Sequence, residues 1–485
     1  MSTEKKLSAR ERIEAFFDSN SFVEIGEMIH ARSTDFNMAD QKTPSDGVIT
    51  GYGISNGRLV YAFCQDASVM NGSVGEMHAK KIIRMYDMAL KMGAPVVGMI
   101  DCAGMRLQEA TDALNAFGEL YHRQIMASGI IPQIMGVFGT CGGGMALVPS
   151  LADFTFVVKD EGEIFINSPD SIKGNRIEVC NTSSSTYRSC ITGDVDGVGE
   201  TDFEVLLQMQ QLVSVLPSNN KEDGLYMRES MDQLNRENKD ISRTLDTVYI
   251  LKDLSDQGGF LEIKPDYAKE MVTGFMILNG NTVGAVANRE EVLDAEGHVI
   301  ERMPSVLSVD GMKKAERFIR FCDAFSIPVL SLVNVSGFKA SMEEEKELAK
   351  ASAKLTYAYS SATVPKVTVI IGKAYGSAYL CMGSRHIGAD LVYAWPNSEI
   401  GMMDAMAAVK IMYSDEIRAA DDSSEFIKVK KQEYEAIQNS PLSAASRGYV
   451  DTIIDPAATR KHLIAAMDML STKREMKLDK KHGTV

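Results

Sequence analysis

Two runs of very small residues in this chain could do chemistry without any reactive side chain. The first reads Gly139-Thr140-Cys141-Gly142-Gly143-Gly144-Met145 and the second Tyr375-Gly376-Ser377-Ala378. Each follows an apolar, strand-like stretch and leads into a short helical pattern, over 145–154 and 379–386. The first N–H groups of a helix have no partner within it, and the helix dipole adds partial positive charge there. Glycine lets a ligand come close to those donors. Such a turn can polarise a carbonyl and hold a developing oxyanion, worth about 3–4 kcal/mol per well-placed donor. No Gly-Lys-Ser/Thr closes either turn, so neither is a phosphate loop, and neither fits the G-x-G-x-x-G dinucleotide pattern cleanly. One isolated triple glycine more often serves tight packing. Two such turns at equivalent places in a repeated unit reverse that balance.

The other candidates are weaker. His78 and His386 have the chemistry for acid–base work, but single histidines in helical patterns are more often structural. Lys80, Lys81 and Arg84 form a basic patch that could meet phosphates, and a solvated helix face explains it as well. Met402, Met403 and Met406 lie beside the second turn in sequence, yet core filling accounts for most of the 29 methionines. No side chain stands out as a nucleophile. Donor-rich turns without one imply that the ligands bring the chemistry: two carbonyl compounds are polarised face to face while a group passes between them.

The elements that must position these turns occur twice. Apolar strands begin at Pro95 and Pro132, and again at Pro328 and Pro365; both pairs are 37 residues apart (132−95 and 365−328). Gly104 and Gly337 fall nine residues after the first proline of each pair (104−95 and 337−328). Upstream, Asn56-Gly57 and Asn279-Gly280 each join two apolar runs, a strong hairpin signal. Helical periodicity follows over 77–92 and 312–325. Continuously apolar strands in β-then-α order predict an α/β fold with buried, largely parallel layers. The repeat is far too long for a solenoid. We therefore read two duplicated domains, 1–240 and 241–485, joined by a polar linker over 217–240.

Composition narrows the function further. With 485 residues, 45% of them hydrophobic, each half can bury its own core. A net charge of −15 without a broad basic face argues against nucleic acid but leaves room for a small anionic ligand. The charged start has no apolar signal core, and no run of about 18 uncharged apolar residues is present. Seven scattered cysteines without a C-x-x-C pair fit reduced thiols and no zinc site. These features predict a cytoplasmic chain.

Several stretches together resemble the carboxyltransferase subunit of biotin-dependent acyl-CoA carboxylases and decarboxylases. They include Asn56-Gly57-Arg58-Leu59-Val60-Tyr61, Ala127-Ser128-Gly129-Ile130-Ile131-Pro132-Gln133, Lys373-Ala374-Tyr375-Gly376 and Tyr393-Ala394-Trp395-Pro396. Gly75-Glu76-Met77-His78-Ala79, Leu216-Pro217-Ser218-Asn219-Asn220 and the tail Lys480-Lys481-His482-Gly483 favour the decarboxylase branch, of methylmalonyl-CoA or glutaconyl-CoA type. The resemblance implies tandem crotonase-like domains with duplicated β-β-α units. It implies acyl-CoA on the N-terminal half, biotin from a separate carrier protein on the C-terminal half, and a homo-oligomer, from dimer to hexamer. It also implies a partner, either a membrane-embedded decarboxylase subunit, which would hold the chain at the inner face of the membrane, or a biotin carboxylase.

Residue by residue, the resemblance matches Gly143 and Gly144 to the amides that hold the thioester oxyanion. It matches Ser377 and Ala378 to those that polarise biotin's ureido oxygen. Gly104, Met105, Gly142 and Met145 fall in the acyl-CoA pocket; Gly376 and Gly337 fall on the biotin side. The chain departs from the family pattern at Cys102, Ala103 and Met105, at Thr140, Gly142 and Met145, and over 335–341, where Lys339 stands. Met105 and Met145 are expected to crowd the acyl-CoA side and Lys339 the biotin side. Two alternatives to carboxyl transfer on a decarboxylase remain: a non-catalytic paralogue acting as scaffold in a heteromeric complex, or the β subunit of an acyl-CoA carboxylase. A third, hydration or isomerisation of an acyl-CoA, needs Glu109 or Asp112 at the thioester pocket.

Overall fold

The computed structural model describes residues 6–32, 36–173, 175, 181–222, 229–230 and 232–476. The linker read at 217–240 lies partly outside them, and the 480–483 stretch wholly so. The chain divides into two compact units, Met1–Asp223 with Lys264–Tyr267, and Gly224–Ile263 with Ala268–Val485.

In the first unit the hairpin strands β2 (Val48–Ser55) and β3 (Arg58–Gln65) pair in register from Val48 opposite Gln65 to Ser55 opposite Arg58. Asn56 and Gly57 between them have φ of 50° and 76°, the left-handed pair that a two-residue hairpin turn requires. The short strand β1 (Val23–Glu24) adds antiparallel to β2. From β3 the sheet turns parallel through β4 (Val96–Cys102), β5 (Gln133–Gly142), β6 (Phe154–Val158) and β8 (Gly197–Gly199). Strand β7 (Glu163–Phe165) pairs with the far end of β5. Every residue of β4 is buried, as the unbroken apolar run predicts for a strand covered on both faces.

The second unit repeats this order. Strands β9 (Phe260–Ile263), β10 (Met271–Leu278) and β11 (Asn281–Asn288) are antiparallel. A two-stranded β12 (Glu291–Leu293) and β13 (Val299–Arg302) ribbon is inserted next. Then β14 (Val329–Val335), β15 (Lys366–Tyr375), β16 (Leu391–Ala394) and β18 (Thr452–Ile453) run parallel outward from β11, and β17 (Glu399–Gly401) pairs with the far end of β15. The correspondence extends to irregularities. Between β4 and β5 the register slips at Ile100/Cys102, and between β14 and β15 it slips at Val333/Val335. A slip of this kind re-aims the end of a strand. Here Asp101 accepts from the Thr140 N–H at 3.3 Å, and Asn334 accepts from the Lys373 N–H at 2.9 Å.

Helix Glu76–Met92 packs Ile82, Met85, Tyr86 and Ala89 into the first core, and helix Val309–Ala324 likewise buries Met312, Ala315, Phe318 and Ile319. The first ends at Gly93, left-handed at φ 62°, and the second opens on Ser308, whose hydroxyl accepts from the Gly311 N–H at 2.9 Å.

Candidate active site

The two glycine turns occupy the same register of the two sheets. Strand β5 ends at Gly142 and β15 at Tyr375, so Gly143 corresponds to Gly376 and Gly144 to Ser377. Both leading glycines are left-handed, at φ 59° and 57°. A tight helical turn follows each, over Gly143–Ala146 and Gly376–Cys381. The helix read over 145–154 is therefore broken into that turn and the short helix Leu147–Leu151.

In the first unit the structure brings Gly104, Met105, Gly142 and Gly144 together. A Cβ on Gly104 would stand 3.1 Å from the Gly142 carbonyl oxygen, and one on Gly144 would stand 3.2 Å from Met105 Cε and 2.8 Å from the Tyr121 hydroxyl. A Cβ on Gly143 would meet nothing within 4 Å, so the turn's leading edge is open. The Gly104 carbonyl accepts from Val74 N–H at 2.9 Å, and Val74 returns the bond from Arg106 N–H at 2.9 Å. Leu307, Gly337 and Lys339 reproduce this arrangement at 2.9 and 2.8 Å.

Met145 departs from expectation. Its side chain is 0% exposed and lies in the core, its sulfur 3.9 Å from Gln65 Nε2, so it adds no bulk to the open side of the turn. The turn's helical twist carries its Cβ inward while Met105, on the facing loop, remains at the edge. Lys339 does not bring a free charge either: its ammonium pairs with Glu344 at 2.9 Å.

The loop bearing Met105 is anchored by a buried ion cluster. Arg106 Nη1 donates to Asp46 at 2.6 Å and to Glu109 at 2.7 Å, and Nη2 donates to the Ser73 carbonyl at 2.8 Å. Glu109 also accepts from the Glu76 N–H at 2.6 Å. Its carboxylate is thus committed to the cluster and faces away from a role as general base, while Asp112 is exposed. His78 is fully buried, with Nδ1 at 2.9 Å from the Asp46 carbonyl. Burial, with the Arg106 charge near it, pushes His78 down to about 3, so it stays neutral. Lys81 is spent on backbone carbonyls, with Nζ donating to Ser45 at 2.8 Å, whereas Lys80 pairs with Glu76 at the surface.

One pattern escaped the reading of the sequence. Gly53-Ile54-Ser55-Asn56-Gly57 has the G-x-S-x-G spacing of a nucleophile elbow. The structure puts Ser55 at a hairpin end, fully buried, its hydroxyl donating to the Phe16 carbonyl at 3.2 Å. No strand-to-helix elbow is present there, so it is no nucleophile.

In the second unit Gly376 and Ser377 open onto a cavity of about 370 Å³. Tyr379, His386, Met402, Arg447 and Tyr449 also line it. The His386 ring packs 4.9 Å from Tyr449 and 6.3 Å, edge-on, from Tyr379. Met402 is 76% exposed and does not plug the opening. Tyr379 is only 4% exposed, yet its hydroxyl has no hydrogen-bond partner among the described residues. Burial pushes that phenol up to about 12, so it keeps its proton. Ala378 is buried and offers only its backbone; Gly337 shapes the facing loop. Among the described residues there is no group of three or more His, Cys, Asp or Glu suited to a metal ion.

A duplicated α/β fold with one backbone cradle per unit defines a crotonase-like carboxyltransferase. The chain belongs to the carboxyl transferase domain family, whose model matches residues 2–485. It is 40% identical to the carboxyltransferase subunit of propionyl-CoA carboxylase from Haloferax mediterranei, over 99% of this chain and 93% of that one. It is 39% identical to methylmalonyl-CoA decarboxylase subunit alpha from Propionigenium modestum, with the same coverages. The transcarboxylase 12S crystal structure, described as a hexamer assembly with methylmalonyl-coenzyme A and methylmalonic acid bound, superposes with a TM-score of 0.90 at 37% identity, covering 99% of this chain and 92% of its own. Among the described residues no helix is long and apolar enough to cross a membrane.

Proposed function

We propose that the chain transfers a carboxyl group between an acyl-CoA thioester and biotin borne on a separate carrier protein, as the α subunit of an acyl-CoA decarboxylase. The observation that carries this reading is the pair of open, left-handed glycine turns at one register of a duplicated fold, in a chain of this family. Gly143 and Gly144 present amides to the thioester oxygen, which becomes anionic when the carboxylate leaves. Gly104, Gly142 and Met105 bound that site. In the second unit, Ser377 and Ala378 offer amides to the ureido oxygen of biotin, with Gly376 and Gly337 shaping the approach. The cavity is of the size that small cofactors occupy, and its aromatic wall suits a flat ring. Biotin, when bound, supplies the ring nitrogen that takes or gives the carboxyl group. The chain's own work is electrostatic: it orients both carbonyls and holds the charge, with no side-chain nucleophile.

Relatives of both carboxylase and decarboxylase type match about equally well, so the partner sets the direction. The family-branch stretches at 75–79 and 216–220 support a membrane-embedded decarboxylase partner, and the hexameric 12S relative supports a homo-oligomer. The test is carbon dioxide release from a panel of dicarboxylic acyl-CoAs by the purified chain with free biotin. Release from methylmalonyl-CoA or glutaconyl-CoA is expected; none from any member would end the reading. The scaffold alternative has a separate test. Gly144→Val should abolish turnover, whereas a scaffold paired with an active subunit would lose nothing.

A further inference from the structure

The two cradles are not held alike. Helix Ala110–Ala127 holds the first turn through the Tyr121 hydroxyl, which donates to the Gly144 carbonyl at 2.5 Å; Gln124 Nε2, one turn further on, donates instead to the Val148 carbonyl at 2.7 Å, in the short helix beyond the turn. Gly144 also takes the Leu147 N–H of its own turn. In the second unit the residue at the offset of the two proline strands (328−95, or 354−121) is Lys354. Among the described residues, no side chain there donates to the Ser377 carbonyl.

We propose that Tyr121 is a positioning residue for the acyl-CoA step, fixing the glycine turn whose amides meet the thioester oxygen. The inference rests on the carboxyl-transfer reading above. Three successive glycines, 142–144, carry more backbone freedom than any other run of residues. A cradle lowers a barrier only if its donors are already aimed when charge develops. A hydrogen bond to the Gly144 carbonyl fixes the plane of the Gly144–Met145 peptide, and so limits rotation at Gly144, whose own amide is one of the two donors. Tyr121 is suited to this: its ring packs edge-on against Phe117 at 5.8 Å, and burial raises its phenol, so the hydroxyl remains a donor.

The test compares two CoA thioethers on the full chain by calorimetry. One is a nitroalkyl-CoA whose nitronate puts anionic oxygen where the enolate oxygen would form; the other is the plain alkyl-CoA. Wild type should prefer the nitronate. Tyr121→Phe should lose up to about tenfold of that preference, the upper end of the net worth of one neutral hydrogen bond, with plain alkyl-CoA binding and the KM for acyl-CoA unchanged and kcat lowered. Gln124→Ala, a structural control, should lower Tm and leave the preference intact. An undiminished preference in Tyr121→Phe overturns the inference and leaves the carboxyl-transfer reading standing. No preference in wild type overturns both. If Tyr121→Phe does not fold, 3-fluorotyrosine at 121, a stronger donor of nearly the same shape, must raise the preference; an unchanged value overturns the inference.

Discussion

Gly143→Ala separates backbone strain from chemistry. Gly143 sits at φ 59°, and a Cβ there would meet nothing within 4 Å. The substitution therefore clashes with no neighbour, and its stability cost is the left-handed conformation alone, about 1–2 kcal/mol for an L-residue. At about 2–4 °C per kcal/mol for units of this size, Tm should fall by about 2–8 °C. Gly57 supplies the matched control. It has φ 76°, also faces open space, and lies at a hairpin turn outside the site. Gly57→Ala should lose a similar amount of stability and keep wild-type turnover per folded molecule. Gly143→Ala should lose far more turnover, because its methyl stands in the mouth of the cradle. Displacing the oxygen from one donor costs about 10²–10³ in rate. The assays are calorimetric Tm and carbon dioxide release from the acyl-CoA in the presence of biotin. If Gly143→Ala turns over as fast as Gly57→Ala, the cradle is not where charge develops and the mechanism is wrong.

Met105→Ala should widen the space beside Gly144 and raise kcat/KM for a bulkier acyl-CoA by about tenfold relative to a smaller one; an unchanged ratio would remove Met105 from the acyl pocket. Tyr379→Phe deletes a buried hydroxyl that has no partner, a group that costs about 1–3 kcal/mol. The free protein should be no less stable by calorimetry; a clear drop in Tm would mean the hydroxyl already has a structural partner. His78 lies at about 3 in the fold against 6.5 unfolded. Its contribution is therefore whole above pH 6.5 and is lost as pH falls from there toward 3. The carboxyl of Asp46, raised by burial, acts with the opposite sign in stronger acid. His78→Gln should flatten the decline of stability just below pH 6.5; a decline as steep as in wild type would refute the assignment.

Much of this architecture was legible because its signals are local. Asn56-Gly57 and Asn279-Gly280 gave both hairpins, since two left-handed residues in a row suit few other turns. The proline-led strands at 95, 132, 328 and 365 are predominantly apolar and almost wholly buried, as parallel strands covered on both faces should be. The glycine turns could be found because only glycine sits comfortably at Gly143 and Gly376. Other placements carry no local signal: the Lys473 ammonium is tied to Asp390 at 2.8 Å, a partner 83 residues away.

The sequence by itself determined the repeated strand order, the hairpins and the position of each glycine turn, because backbone geometry and burial impose patterns on neighbouring residues. Only the tertiary structure decided which side chains reach those turns. Met145 turns into the core while Met105 stays at the edge, and Glu109 is taken by Arg106. Tyr121 reaches Gly144 across 23 residues, and Tyr379, His386 and Tyr449 converge on one cavity from separate elements. Such meetings depend on how helices pack on sheets, and spacing along the chain does not encode that packing.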